Sequence, residues 1–200
     1  MLVFGLTGPT GAGKGAVSEV FASYGIPVIN ADEIYHRLLI PPSQCLNELT
    51  DHFGRSILTP EGTLDRRALA TIVFEDPAEL EALNSIAHRH VLKESKRQLN
   101  GFRDSGYAAA VFDAPQLFES GADRGCSVII SVLAERSIRL HRILLRDGIS
   151  LEAAIKRIEA QKSDQFFRTH SDYIIENNSN PENLIPQVRR ILEETGVPIP

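Results

Sequence analysis

An apolar run, Leu2–Leu6, leads into the glycine-rich stretch Gly8-Pro9-Thr10-Gly11-Ala12-Gly13-Lys14-Gly15. The apolar residues that follow recur at helical spacing: Val17, Val20, Phe21 and Tyr24. A strand, a glycine-rich turn and a helix in this order favour an anion site, because backbone N–H groups and a helix N-terminus together bind phosphate. Glycine permits the tight turn and the close approach of backbone to ligand. We therefore predict that Gly8–Gly15 is a phosphate loop in which Lys14 adds positive charge; the alternative is an ordinary strand-to-helix turn.

The composition is that of an ordinary globular protein. The chain has 200 residues, of which 42% are hydrophobic and 24% are charged, and this predicts one compact domain with small insertions. A net charge of −5 argues against a nucleic-acid partner, and no apolar stretch is long enough for a membrane helix. The N-terminus lacks a signal-peptide pattern, and neither a C-x-x-C nor an H-E-x-x-H motif occurs. We expect a cytoplasmic enzyme with no membrane partner.

Five short apolar segments alternate with helical patterns, which predicts an α/β fold with a five-stranded parallel sheet covered by helices on both faces. The predicted strands are Leu2–Leu6, Val28–Ile29, Tyr107–Phe112, Val128–Leu133 and Tyr173–Ile175. Helices are predicted over most of residues 43–100, at 136–146, at 150–162 and near the C-terminus. Ligands of such sheets bind at the carboxyl ends of the strands. We therefore expect the phosphate loop, Asp32 and Asp113 to converge in one crevice.

Each of the two aspartates has a second interpretation. Asp32 follows the second strand and is placed to accept a proton from an acceptor hydroxyl, or it caps the helix that begins at Glu33. Asp113 follows the third strand and is placed to hold Mg²⁺ through water or to orient the phosphate loop, or it forms a turn before Pro115. The residues alone leave both choices open.

Residues 136–168 are unusually basic. The segment contains eight arginines and lysines and four acidic residues in a chain of net charge −5. Arg142 and Arg146 are four residues apart and therefore share one helix face. We predict a mobile lid whose arginines close over a nucleoside triphosphate. The alternative is a solvated helix surface. His88 lies inside a helical pattern, where packing and a contact to substrate phosphate are both open.

Taken together, these motifs resemble the dephospho-coenzyme A kinase family. The matching segments run through almost the whole chain: Leu6–Gly8 to Gly13-Lys14, Val28–Asp32, Gly62–Arg66, Val73-Phe74, Ile86–His88, Phe112–Glu119, Arg142 to Gly148, Arg157 with Gln161, and Asn177-Asn178.

The resemblance implies a P-loop kinase fold like that of the nucleoside monophosphate kinases. Residues 1–29, 101–135 and 169–200 would form the nucleotide-binding core, 30–100 a helical acceptor domain and 136–168 the lid. It also implies transfer of the γ-phosphoryl of ATP to the ribose 3′-hydroxyl of dephospho-coenzyme A, with Mg²⁺, in a monomer or small homo-oligomer.

The resemblance also assigns roles to residues. The catalytic set would be Asp32, Lys14, Arg142 and Arg146. ATP would be bound by Gly8, Gly11, Ala12, Gly13, Lys14, Gly15 and Ala16. The acceptor would be bound by Asp32, Leu64, Asp65, Arg66, His88, Asp113 and Leu117.

One departure from the family concerns the residues after the lysine. The family usually has Ser and Thr there, whereas this chain has Gly15 and Ala16. With no hydroxyl to ligate it, Mg²⁺ is expected to be held by ATP and water, with Asp113 or Thr7 acting through water. The same departure keeps two alternatives open, a nucleoside monophosphate kinase and a non-catalytic ATP-binding regulatory protein.

Overall fold

Five strands form a single sheet. They are β1 (Leu2–Thr7), β2 (Val28–Asn30), β3 (Ala109–Asp113), β4 (Val128–Leu133) and β5 (Tyr173–Glu176). The computed structural model describes residues 1–199. The strand order is β2-β3-β1-β4-β5, and β1 pairs in parallel with both β3 and β4, as β4 does with β5. The predicted α/β fold with a parallel sheet is confirmed. Leu6 lies opposite Asp113 in the register, so the phosphate loop and Asp113 follow neighbouring strands at one edge.

Nine α-helices connect or cover the strands in the part of the chain that is described. They are α1 (Lys14–Ser23), α2 (Ala31–Leu38), α3 (Gln44–Phe53), α4 (Arg66–Glu75), α5 (Pro77–Asp104), α6 (Arg136–Asp147), α7 (Leu151–Glu159), α8 (Asp164–His170) and α9 (Leu184–Glu194). Short 3₁₀ helices occur at Arg55–Ile57, Ala122–Gly125 and Pro181–Asn183. Pro186 is the third residue of α9, where its missing N–H has no carbonyl partner to lose.

The helix predicted at 150–162 is shorter than expected. The helix expected to reach Lys162 ends at Glu159, and α8 follows it. Ser163 caps α8 by accepting a hydrogen bond from Phe166 N at 3.2 Å. The rings of Phe166 and Phe167 pack around Phe118, with centroids 5.2 and 6.2 Å away. These contacts come from a distant part of the chain, so local periodicity does not reveal the helix.

The chain divides into two compact units. The first contains Met1–Ile29 and the described residues from Gly101 onward. Its core lies between the sheet, α1 and α9, where Phe4 and Phe21 are fully buried with ring centroids 5.5 Å apart. Burial of a large apolar side chain stabilises a fold by about 1.5–3 kcal/mol, so this core holds the sheet that carries the phosphate loop.

The second unit, Asn30–Asn100, is helical and has its own core. The buried members of that core are Leu39, Cys45, Leu49, Ile57, Leu69, Val73 and Ile86. Burial raises the pKa of the Cys45 thiol to about 11, so it is protonated at neutral pH and behaves as a small apolar group.

Among the described residues, no helix is both long and apolar enough to span a membrane. Within the same residues, no group of three or more His, Cys, Asp or Glu side chains is arranged to hold a metal ion.

Candidate active site

The phosphate loop is packed so closely that its glycines at positions 8, 11 and 13 cannot carry a side chain. Gly8 and Gly13 have φ values of +140° and +89°, a backbone conformation that residues other than glycine rarely adopt. A Cβ on Gly8 would lie 2.2 Å from Val132 O, and one on Gly13 would lie 2.2 Å from Asn177 Nδ2. The loop therefore rests directly on β4 and on the residue that follows β5.

Two carbonyl groups of the loop accept hydrogen bonds from side chains of later segments of the chain. Arg142 Nη1 donates to Gly11 O at 3.3 Å and to Ala12 O at 3.2 Å, and Asn177 Nδ2 donates to Ala12 O at 2.8 Å. In a trans peptide the C=O and the N–H point in opposite directions. Since Ala12 O faces Arg142 and Asn177, the N–H of Gly13 is directed away from them. This arrangement leaves that amide available for an anion.

Lys14 supplies a positive charge beside these amides. It is the first residue of α1, whose N-terminus carries the positive end of the helix dipole. Its ammonium group forms no ion pair with any residue from 1 to 199. A lysine without a carboxylate partner, close to an available backbone amide such as that of Gly13, is suited to bind phosphate.

Arg142 thus lies on the carbonyl side of the loop. In addition to its contacts to the loop, its Nη2 donates to Asn177 O at 3.1 Å and to Asn177 Oδ1 at 3.3 Å. Arg146, one turn further along α6, is exposed and donates to Asp147 from Nε at 2.7 Å and from Nη2 at 3.0 Å. Hydrogen bonding by Arg146 is the main reason why the pKa of the Asp147 carboxyl is lowered.

Arg139, on the same helix, was not singled out by the sequence. It is 4% exposed, and burial lowers the pKa of its guanidinium group while Asp164 counteracts that effect. Its Nε donates to Thr10 O at 3.0 Å, and Nη1 donates to Asp164 Oδ1 at 3.1 Å. Nothing in the spacing of the α6 arginines distinguishes this buried one from its exposed neighbours. The sequence shows Asn177 only as part of a family motif, and its hydrogen bond to the loop depends on packing between distant segments.

Asp113 is buried at the end of β3 and contacts the helix that follows the loop. Ser18 Oγ on α1 donates to Asp113 Oδ2 at 3.0 Å. Gly15 is exposed, and a Cβ placed on it would meet no atom within 4 Å. Thr7, which is fully buried, donates from Oγ1 to Pro115 O at 3.3 Å. Positions 15 and 16 carry no hydroxyl, so the Asp113 carboxylate, held by Ser18, is the group among these residues whose chemistry suits a Mg²⁺ ion.

In the helical unit, the structure shows which residue at the end of β2 caps α2. Asn30, not Asp32, caps α2: its Oδ1 accepts a hydrogen bond from Glu33 N at 3.0 Å. Asp32 is exposed in the first turn of α2. The interpretation of Asp32 as a helix cap is therefore wrong.

The predicted acceptor residues have different surroundings. Asp65 Oδ1 caps α4 by accepting from Arg67 N at 2.9 Å and Ala68 N at 3.1 Å. Arg66 is exposed at the start of α4, and Leu64 is half-buried just before it. His88 is half-buried inside α5.

Leu117, in the sheet-containing unit, is fully buried. Its Cδ2 would lie 2.9 Å from a Cβ placed on Gly5, so it packs directly on the backbone of β1. In this structure its side chain supports the strand that carries the phosphate loop.

A family model described as dephospho-CoA kinase matches residues 2–183 of the chain. The chain belongs to the dephospho-CoA kinase family. It is 38% identical over 193 residues to the dephospho-CoA kinase of Fusobacterium nucleatum, covering 96% of this chain and 98% of the relative.

Two solved structures resemble the fold over nearly its full length. The protein TT1252 from Thermus thermophilus is 29% identical, with a TM-score of 0.83 and coverage of 96% of this chain and 97% of that one. The dephospho-CoA kinase from Campylobacter jejuni is 26% identical, with a TM-score of 0.70 and coverage of 96% of both chains. The P-loop kinase fold implied by the family resemblance is confirmed.

The packing of the loop predicts opposite effects for two alanine substitutions. Gly13→Ala is expected to lower the free energy of unfolding by about 2 kcal/mol or more, because the methyl group overlaps Asn177 and φ is positive. Gly15→Ala is the matched control and is expected to raise it by up to about 1 kcal/mol, because alanine favours the helix and the space is open. Urea denaturation followed by circular dichroism measures both. Equal stability of the two variants would contradict this account of the loop.

Proposed function

We propose that this chain transfers the γ-phosphoryl group of ATP to the ribose 3′-hydroxyl of dephospho-coenzyme A, giving coenzyme A and ADP. The observation that carries the proposal is the combination of membership in the dephospho-CoA kinase family with a phosphate loop that keeps its glycines and Lys14. Phosphoryl transfer depends chiefly on positioning and on stabilising negative charge, and both are supported by the residues around this loop.

In this proposal the loop binds the phosphates of ATP. Lys14 pairs with them, and backbone amides between Gly8 and Ala16 donate to them. The Thr10 and Ala12 amides are the exceptions, because they donate to Gln161 Oε1 at 2.8 Å and to Pro9 O at 3.1 Å. Arg142 contributes positive charge from the carbonyl side of the loop. Arg146 reaches the transferred group only when it exchanges Asp147 for phosphate, which is consistent with a lid formed by residues 136–168.

On the acceptor side, Asp32 is the general base in this proposal. Its carboxylate takes the proton of the 3′-hydroxyl as that oxygen attacks phosphorus. Three features support this role: Asp32 is exposed, it follows a strand at the carboxyl edge of the sheet, and it is not needed as a helix cap. The helical unit, residues 30–100, would hold dephospho-coenzyme A, with Leu64, Asp65, Arg66 and His88 among its contacts.

Mg²⁺ completes the proposal. When bound, it would neutralise charge on the phosphates of ATP. Asp113 would hold it through water, and Ser18 would keep the Asp113 carboxylate in place. The absence of a hydroxyl at Gly15 and Ala16 means that this chain supplies fewer direct ligands than a loop with serine or threonine.

The proposed reaction is tested with a panel of acceptors. ATP, Mg²⁺ and either dephospho-coenzyme A, AMP, GMP or CMP are incubated with the chain, and products are separated by liquid chromatography and identified by mass. We expect rapid turnover of dephospho-coenzyme A only, and its loss in Lys14→Met. Preferred turnover of a nucleoside monophosphate would indicate the alternative kinase class. ATP binding with no turnover of any acceptor would indicate a regulatory protein.

The role of Asp32 predicts a selective loss of rate. Asp32→Asn is expected to lower kcat by about 10²–10⁴-fold, the usual contribution of a general base, with ATP affinity and thermal stability retained. Glu33→Gln on the same exposed helix turn is the matched control and should retain kcat within about twofold. Single-turnover kinetics measure the chemical step directly. Retention of the wild-type rate in Asp32→Asn would exclude Asp32 as the base.

The missing loop hydroxyl predicts a gain of Mg²⁺ affinity on substitution. Gly15→Ser is expected to lower the Mg²⁺ concentration for half-maximal activity by roughly threefold to tenfold, as expected for one added polar contact. The open space around Gly15 accommodates the serine. Gly15→Ala separates this effect from that of helix propensity. An unchanged or weakened Mg²⁺ dependence in Gly15→Ser would contradict our account of the metal site.

A further inference from the structure

Arg139 is a buried charge beside the phosphate loop. Its guanidinium contacts three groups: Thr10 O at 3.0 Å, Asp164 Oδ1 at 3.1 Å and Gln161 Oε1 at 3.4 Å. Burying a charge is costly even when it is paired, and an apolar residue of similar size often serves stability as well. Stability alone therefore gives no reason for an arginine at this position.

The contacts of Arg139 converge on one residue of the loop. Thr10 N donates to Gln161 Oε1 at 2.8 Å, while Thr10 O accepts from Arg139 Nε. Thr10 Oγ1 also lies 3.5 Å from Arg146 Nη2. The backbone N–H and C=O of Thr10 are thus both held by side chains from residues 136–168, which lie more than a hundred residues along the chain.

Holding Thr10 O determines the direction of the next amide. The Thr10 C=O and the Gly11 N–H belong to the same trans peptide and point in opposite directions. With the carbonyl fixed on Arg139, the N–H of Gly11 is directed away from α6. The packing is close: a Cβ on Gly11 would lie 2.7 Å from Arg139 O, and Gly11 has a φ of +78°. The peptide is therefore clamped by backbone packing and by a charge-assisted hydrogen bond together.

We propose that Arg139 and Gln161 are positioning residues, which hold the Thr10–Gly11 peptide so that the Gly11 amide is presented to the phosphates of the nucleotide. This proposal rests on the proposed function, because it takes the ligand of the loop to be ATP. The Thr10 clamp, formed by Arg139 and Gln161, ties α6 and the segment after α7 to the loop. A displacement of either element alters the orientation of the peptide and hence the affinity for phosphate.

The test measures equilibrium nucleotide binding, which needs no acceptor. Arg139→Met removes the clamp while keeping a long apolar side chain, and Arg136→Met makes the same change at an exposed arginine of α6 that pairs with Glu159. Displacement of a fluorescent ATP analogue is measured with ATP, ADP and adenosine. For Arg139→Met we expect ATP and ADP to bind about tenfold weaker or more, the loss of a charge-assisted hydrogen bond. Adenosine should bind as to the wild type, and Arg136→Met should change neither affinity by more than about twofold.

Two further variants test the mechanism of the clamp. Gln161→Leu leaves every charge in place and is expected to weaken ATP binding while its melting temperature stays close to that of the wild type. Arg139→Lys keeps the charge but loses the forked geometry, so it should recover only part of the affinity. Wild-type ATP affinity in Arg139→Met or in Gln161→Leu, full recovery in Arg139→Lys, or equal losses in Arg136→Met and Arg139→Met would each overturn the proposal.

Different results would contradict the proposed Thr10 clamp and the proposed function. If the wild-type chain does not phosphorylate dephospho-coenzyme A, the proposed reaction is wrong, whereas the binding measurements still decide the clamp. If the reaction occurs, the same variants should raise KM for ATP and leave KM for dephospho-coenzyme A unchanged. A purely structural role would change stability and both KM values together.

Discussion

The orientation of the peptide planes in the phosphate loop is the constraint on which the candidate site depends. An anion site made of backbone requires the N–H groups to face the ligand, so the carbonyl groups of the same peptides must face the protein. Here the carbonyls of Thr10, Gly11 and Ala12 accept hydrogen bonds from Arg139, Arg142 and Asn177. These donors satisfy the carbonyls, and those on Thr10 O and Ala12 O fix the direction of the Gly11 and Gly13 amides before any ligand arrives.

This constraint explains why distant parts of the chain pack against a loop of eight residues. Gly8 lies against Val132 of β4, and Gly13 lies against Asn177 beyond β5. The parallel order of the strands brings β4 and β5 to the side of β1 opposite to β3. Each contact is close enough to exclude a side chain on the loop. The glycines are therefore required both for the turn and for the approach of these neighbours.

Much of the fold follows from local sequence, whereas the support of the site does not. The buried strands are visible as apolar runs, and Asp76, a good capping residue just before α5, accepts a hydrogen bond from Ala78 N at 2.8 Å. By contrast, Arg139 is one of several arginines at helical spacing on α6, and only the contact with the loop buries it. Asn30 and Asp32 are both good capping residues, and only the exact end of β2 decides between them. Periodicity reports which face of a helix is apolar, but it does not report which partner that face meets.

The arrangement also changes the meaning of the basic segment. A lid was predicted from residues 136–168 because its charge is opposite to that of the chain, but Arg139 and Arg142 of this segment are engaged with the loop backbone. Charge held in place in this way needs no reorganisation when a phosphate binds, and preorganised charge is the most effective kind for stabilising a transition state. Arg146 is exposed and pairs with Asp147, and the exposed Arg136 pairs with Glu159, so neither is fixed on the loop backbone. The segment therefore combines arginines that are fixed against the loop backbone with arginines that pair with carboxylates at the surface.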